Sequence, residues 1–110
     1  MLPEATLSLN VLRKLHKQAY KRLRDRYQWL MLAQTLNRHT GPVKLTLTRL
    51  STGTLDYDNL AGGAKPLIDA LVNGGILSGD TPALIPQRDY QQEKIKRGQR
   101  PQTIIQIEAL

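Results

Sequence analysis

The stretch Val43-Lys44-Leu45-Thr46-Leu47-Thr48-Arg49-Leu50 decides the architecture. Val43, Leu45 and Leu47 fall on one side of an extended chain, and Lys44, Thr46 and Thr48 on the other. That period of two predicts a half-buried strand. Ser51-Thr52-Gly53-Thr54 then turns the chain. Leu55 to Asp58 leads out of the turn into a helix that stops at Asn73-Gly74-Gly75, where glycine is the expected terminator. Pro66 lies inside that helix and clashes with the carbonyl four residues back, which belongs to Gly62. A kink or a late start near Ala64 follows. On the other side of the strand, Gly41-Pro42 closes a helical segment that starts at Asn10, a plausible N-cap, and reaches about Asn37. Leu12, Leu15, Ala19, Leu23, Tyr27 and Leu30 recur along it at helical spacing, so one long amphipathic helix is expected, with any break near its C-terminus. Tyr27 and Trp29 are assigned to packing or to a subunit interface.

Further out, Ala83 to Lys94 and Gln102 to Glu108 read as strands. The polar, glycine-containing stretch from Lys94 to Pro101 predicts that they form a β-hairpin. Ala5 to Leu9 is a weaker candidate strand. The expected fold is α+β: a mixed or antiparallel sheet of three to four strands with two main helices.

A chain of 110 residues is read as a single domain, 1–110. So small a core has little stability to spare, and a partner subunit would help it. Aromatic residues make up 5% and Phe is missing, so the core must rest on Leu, Ile, Val and Ala. Without cysteine there is neither a disulfide framework nor a thiolate metal site, which fits a cytoplasmic protein. Met1-Leu2-Pro3-Glu4 does not resemble a signal peptide, and no apolar run approaches a membrane span.

The net charge of +7 points to a polyanionic partner, most often nucleic acid, and its distribution says more. Arg13, Lys14, Lys17, Lys21, Arg22, Arg24 and Arg26 face only Asp25 in the same segment. Lys94, Lys96, Arg97 and Arg100 form a second basic cluster. Between them, Asp56 to Asp80 holds four of the nine acidic residues and a single cation, Lys65. The candidate DNA contacts are therefore Arg13, Lys14, Lys17, Lys21 and Arg24 from the first cluster, with Lys94, Lys96, Arg97 and Arg100 from the second.

Asp56 and Asp58 are two apart, and in an extended segment both carboxylates would face the same way. Asp80 follows the helix and a glycine-bounded turn that returns the chain toward them. Three converging carboxylates repel unless neutralised, and Mg²⁺ or Mn²⁺ is the natural neutraliser. An ion so placed supports phosphodiester hydrolysis. The plainer reading makes Asp58-Asn59 a helix cap and the other two aspartates turn residues. Lys65 and Asp69, at i and i+4, spell an exposed ion pair when taken alone.

Asp56-Tyr57-Asp58-Asn59-Leu60, then Lys65, Asp69-Ala70-Leu71, Gly75-Ile76-Leu77 and Asp80 resemble the signature of the RusA-type crossover junction (Holliday junction) endodeoxyribonucleases, small nucleases of bacteria and phages. The resemblance runs from Leu45 to Asp80 and extends more loosely to Gln92, Gly98, Arg100-Pro101 and the last strand. It implies a cytoplasmic homodimer that binds four-way DNA junctions in recombination and repair and makes paired nicks with Mg²⁺ or Mn²⁺. It further implies that Asp56, Asp58 and Asp80 bind the metal, that Lys65 joins them as a catalytic residue, and that Asp69 is structural. Two features depart from the family pattern. Gly79-Asp80 stands where two acids are usual, and the gap from Asn59 to Lys65 is longer. The competing expectation is a nucleic-acid-binding module without catalysis, a degenerate family member with Gly79 as the symptom.

Overall fold

The computed structural model describes residues 1–35 and 37–110. β1 (Val43–Ser51) is the strand that the alternation predicts, and it holds the centre of a three-stranded sheet. On one side it pairs in parallel with β2 (Gln87–Lys94), and on the other antiparallel with β3 (Gln102–Ala109). Leu45 and Leu47 are fully or nearly fully buried, and Thr46 and Thr48 on the opposite face are buried as well. The fold is therefore α+β with a mixed sheet, as expected.

The predicted hairpin does not form. β2 and β3 lie on opposite sides of β1, and residues 95–101 carry the chain across the end of the central strand. The cause is composition. Gln87-Arg88-Asp89-Tyr90-Gln91-Gln92-Glu93-Lys94 is too polar to be enclosed, so it takes an edge. The apolar strand takes the middle. β2 also starts later than expected, at Gln87, because Pro86 has no N–H to give to a ladder.

The connection from β1 to the parallel β2 runs through two short helices, α3 (Tyr57–Gly63) and α4 (Lys65–Asn73), which meet at Ala64. This is the break that Pro66 dictates. The N-terminal helical segment is also broken, but at its start rather than its end. Leu9–Leu12 and Lys17–Leu32 are separate helices, packed on the Tyr57–Gly63 and Lys65–Asn73 helices respectively. We call the first pair α1 and α2. A kink in one layer thus matches a kink in the other. Ala5 to Leu9 is not a strand: the N-terminal pairing is a single bridge from Leu2 to Thr103, and Thr6 is held by its N–H to Thr103 Oγ1.

Leu23, Tyr27 and Met31 of α2 and Leu67, Ile68 and Leu71 of α4 join Val43, Leu45 and Leu47 in one core. Burying each large aliphatic side chain contributes roughly 1.5–3 kcal/mol. Trp29 is two positions out of phase with Tyr27 and escapes this core, with 78% of its surface exposed. Of the two expected roles, packing within the chain is thereby excluded for Trp29, and the subunit interface stays an expectation. No helix among the described residues is long and apolar enough to cross a membrane.

Buried Tyr27 and half-buried Tyr20 give the fold an alkaline limit. Burial, helped by Glu4, pushes the Tyr27 phenol up to about 12. Burial and then Asp69 raise Tyr20 as well. An unfolded chain releases these protons near pH 10, while the folded chain keeps them. The unfolded state then binds fewer protons, so stability must fall as pH rises. The urea midpoint should hold up to about pH 10 and decline toward about pH 12. Tyr27→Phe should flatten part of that decline; an unchanged slope in the variant would contradict the assignment.

Candidate functional site

Helices cover the β1 and β3 side of the inner sheet face, and β2 carries the polar remainder. In the three inner rows, Arg88 stands beside Leu45 and Ile107, Tyr90 beside Leu47 and Ile105, and Gln92 beside Arg49 and Thr103. Each of the three β2 residues anchors a segment from the acidic stretch. Gln92 Nε2 donates to the Leu55 carbonyl at 2.6 Å, and its Oε1 accepts from Leu55 N–H at 2.9 Å. The Tyr90 ring meets Tyr57 edge-on, with centroids 6.4 Å apart. Arg88 Nη2 donates to the Asp80 carbonyl. Same-face residues on a strand are about 6.6 Å apart, so the Gln92 and Arg88 anchor points are separated by roughly 13 Å.

Asp56 and Asp58 are fixed at the Gln92 end. The chain there is a helix start, and not the extended segment that would align the two side chains. Asp56 is the N-cap of α3, and its Oδ1 accepts from Asn59 N–H at 2.9 Å and from Asn59 Nδ2 at 3.1 Å. Such a cap contributes about 1 kcal/mol, enough to select the helical start. Asp58 lies in the first turn, and helical residues two apart do not face each other.

Asp80 is fixed at the Arg88 end, where it lines an open cleft of about 210 Å³ with Lys65, Asp69, Arg88 and Tyr90. Two of the sequence-predicted site residues, Lys65 and Asp80, therefore share one cleft. Lys65 Nζ lies 3.7 Å from Asp69 Oδ1. Asp69 Oδ2 accepts from the Tyr20 hydroxyl at 2.7 Å. With burial raising its pKa, Tyr20 stays a donor across the neutral range. One Asp69 oxygen is thus fixed by α2, and the other draws the Lys65 ammonium.

Among the described residues, no group of three His, Asp or Glu side chains could hold a metal ion. The expected cage of three carboxylates is not assembled in this conformation. Mg²⁺ nonetheless commonly binds one or two carboxylates and completes its shell with water and substrate phosphate. Asp80 fits that kind of site, because its carboxylate has no hydrogen-bond or ion-pair partner among the described residues.

The basic residues divide into two borders. Tyr20 pairs with Asp69 and Gln28 with Asn73, so α2 runs alongside α4 in the same direction. Lys17 and Arg24 then flank Tyr20 on one helical face, next to the cleft. Lys17 and Lys21 are exposed, as are Arg13 and Lys14 in the link before α2. Arg24 is half-buried and bonded to Asp25 at 3.2 Å, which makes it the least available of the set. Lys94, Lys96, Arg97 and Arg100 are exposed beyond the Gln92 end of β2. Sequence reasoning missed Arg88, Tyr90 and Tyr20. Arg88 had a signal: it occupies an inward-facing phase of its strand, where an apolar residue is the norm.

No protein-family model matches the chain, and the search of curated proteins finds nothing similar.

Proposed function

We propose that the chain is a metal-dependent endodeoxyribonuclease that binds and nicks branched DNA, four-way junctions included, in recombination or repair. The observation that carries the reading is the meeting of Lys65 and Asp80, fifteen positions apart in the sequence, in one open cleft bordered by exposed cations. Asp80 would hold Mg²⁺ or Mn²⁺ together with a DNA phosphate, and Asp56 and Asp58 would have to act from the other end of β2. When bound, such an ion supplies an activated water and stabilises charge on the attacked phosphate. Lys65, tethered by Asp69, offers a second positive charge to that phosphate. Lys17, Lys21, Arg13 and Lys14 on one border and Lys94, Lys96, Arg97 and Arg100 on the other hold the DNA backbone, which fixes register without reading sequence. A homodimer would present two such clefts, as paired nicks require. The resemblance to bacterial and phage nucleases is what supports a bacterial cytoplasm as the site of action, with a cellular or phage gene as the source.

A second reading, a binding module without catalysis, is favoured by one observation: Asp56 spends a carboxylate oxygen on its helix cap. Incubating the chain with a synthetic four-way junction, with and without Mg²⁺, separates the two. Symmetric nicks that need the metal are expected. A gel shift without nicks would replace the nuclease by the binder, and neither result would remove both.

A further inference from the structure

We propose that Arg88 and Lys65 grip a single DNA phosphate between them, over Asp80, with Arg88 the sequence-independent anchor of the cleft. The inference rests on the DNA-binding half of the reading above and does not require cleavage. Three observations converge. Arg88 occupies the inner row that Leu45 and Ile107 fill with apolar side chains, yet the helices leave its end of the row open, and the residue is exposed. Its guanidinium lines the cleft that Lys65 also lines. One nitrogen is held by the Asp80 carbonyl, and among the described residues no carboxylate neutralises the group. A planar guanidinium fixed at one corner keeps its remaining N–H groups in a rigid fork, the geometry that suits phosphate oxygens. Lys65, tethered to Asp69 on α4, supplies a point charge to the same cleft, with 70% of its side chain exposed. A phosphodiester fits better than a phosphate monoester because Asp69 and Asp80 already line the site, and a diester carries its anionic oxygens without adding a second full charge. The rival explanation is that Arg88 only guards the edge strand against pairing with another chain, a usual role for inward-facing charge.

The salt dependence of binding decides between them. Junction affinity is measured with EDTA present, between about 50 and 300 mM NaCl, for the wild-type chain, Arg88→Gln and Arg88→Lys. Each phosphate contact contributes about −0.9 to the slope of log K against log salt. The Lys65 charge is already drawn to Asp69, so Arg88 is the cation that neutralises the shared phosphate, and Arg88→Gln should make the slope shallower by about 0.9 and weaken binding roughly tenfold at low salt. Arg88→Lys should keep the slope while losing part of the affinity. An unchanged slope in Arg88→Gln overturns the proposal and leaves the edge-guard role. Should the variants misfold, phenylglyoxal modification of the wild-type chain gives the answer instead. DNA must protect Arg88 from the reagent, and equal labelling with and without DNA overturns the proposal. A wild-type chain that shows this slope and protection but never nicks retains the phosphate grip and loses the nuclease. A chain that nicks while Arg88→Gln binds with an unchanged slope does the reverse.

Discussion

Gly63→Ala should cost about 3 kcal/mol, toward the upper end for overpacking, and lower the melting temperature by roughly 15 °C. A methyl group at this position would stand 1.9 Å from the Leu7 carbonyl oxygen and 3.1 Å from its carbon. The obstacle is backbone, so no rotamer change relieves it. The N-terminal segment must move off α3, and that movement disturbs the Asn10 N–H bond to Asn59 Oδ1 and the contacts of α1. Gly62→Ala is the informative neighbour. Its methyl would meet only the Leu9 side chain, at Cδ2 (2.8 Å), which can rotate aside, and at Cβ (2.9 Å), which moves only if α1 shifts slightly. The cost should therefore fall between those of Gly63→Ala and Gly41→Ala. Gly41→Ala, with nothing within 4 Å, should be close to neutral. Thermal melts of the three variants give the ranking. If Gly63→Ala melts with Gly41→Ala, the close approach of Leu7 is wrong.

Asp80→Asn should lower junction nicking by about 100-fold or more, which corresponds to roughly 3 kcal/mol of lost transition-state stabilisation. The fold should not register the change. Asp80 is exposed, and its tie to Arg88 runs through the backbone carbonyl, which asparagine retains. Stability should stay within about 0.5 kcal/mol of wild type. Junction affinity should hold or improve, since a negative charge leaves a site that receives phosphate. Asp56→Asn is the companion measurement. Asparagine caps a helix as well as aspartate does, so any loss of nicking there reports on the carboxylate and not on α3. Single-turnover rates with matched gel-shift titrations separate the two effects. Nicking by Asp80→Asn at the wild-type rate would take Asp80 out of the site and leave Lys65 without its partner.

The elements of this fold were legible where the pattern was local. The alternation from Val43 to Leu50 marked β1, and Pro66 marked the break at Ala64. Strand order was not legible, because it depends on which strand tolerates enclosure. Comparing the polarity of Gln87–Lys94 with that of Val43–Ser51 holds the answer, but only once both are known to share a sheet. The break before Lys17 was hidden because Leu12 and Leu15 keep helical phase across it; it lies opposite the junction of α3 and α4, on which α1 and α2 pack. The site was half legible. Lys65 and Asp80 could be paired through a resemblance. Arg88 and Tyr20 lie outside its motif, and their roles follow from tertiary neighbours, Asp80 and Asp69. The alignment of Asp56 with Asp58 failed for a local reason: an aspartate followed by three helix-compatible residues caps more readily than it extends.

The bridge between Leu2 and Thr103 has a bearing on how the molecule is made in the cell. Leu2 exchanges backbone hydrogen bonds with Thr103 in both directions, and Thr103 also anchors Thr6 and the Glu4 carbonyl. β3, which contains Thr103, is a direct neighbour of the central strand. During synthesis, one flank of β1 and the partner of Leu2 therefore stay uncovered until β3 has left the ribosome. Non-local closure of this kind slows folding and leaves an unpaired strand open to aggregation in the interval. The polar β2 can cover only the other flank of β1, so the β3 side is the one left open during that interval.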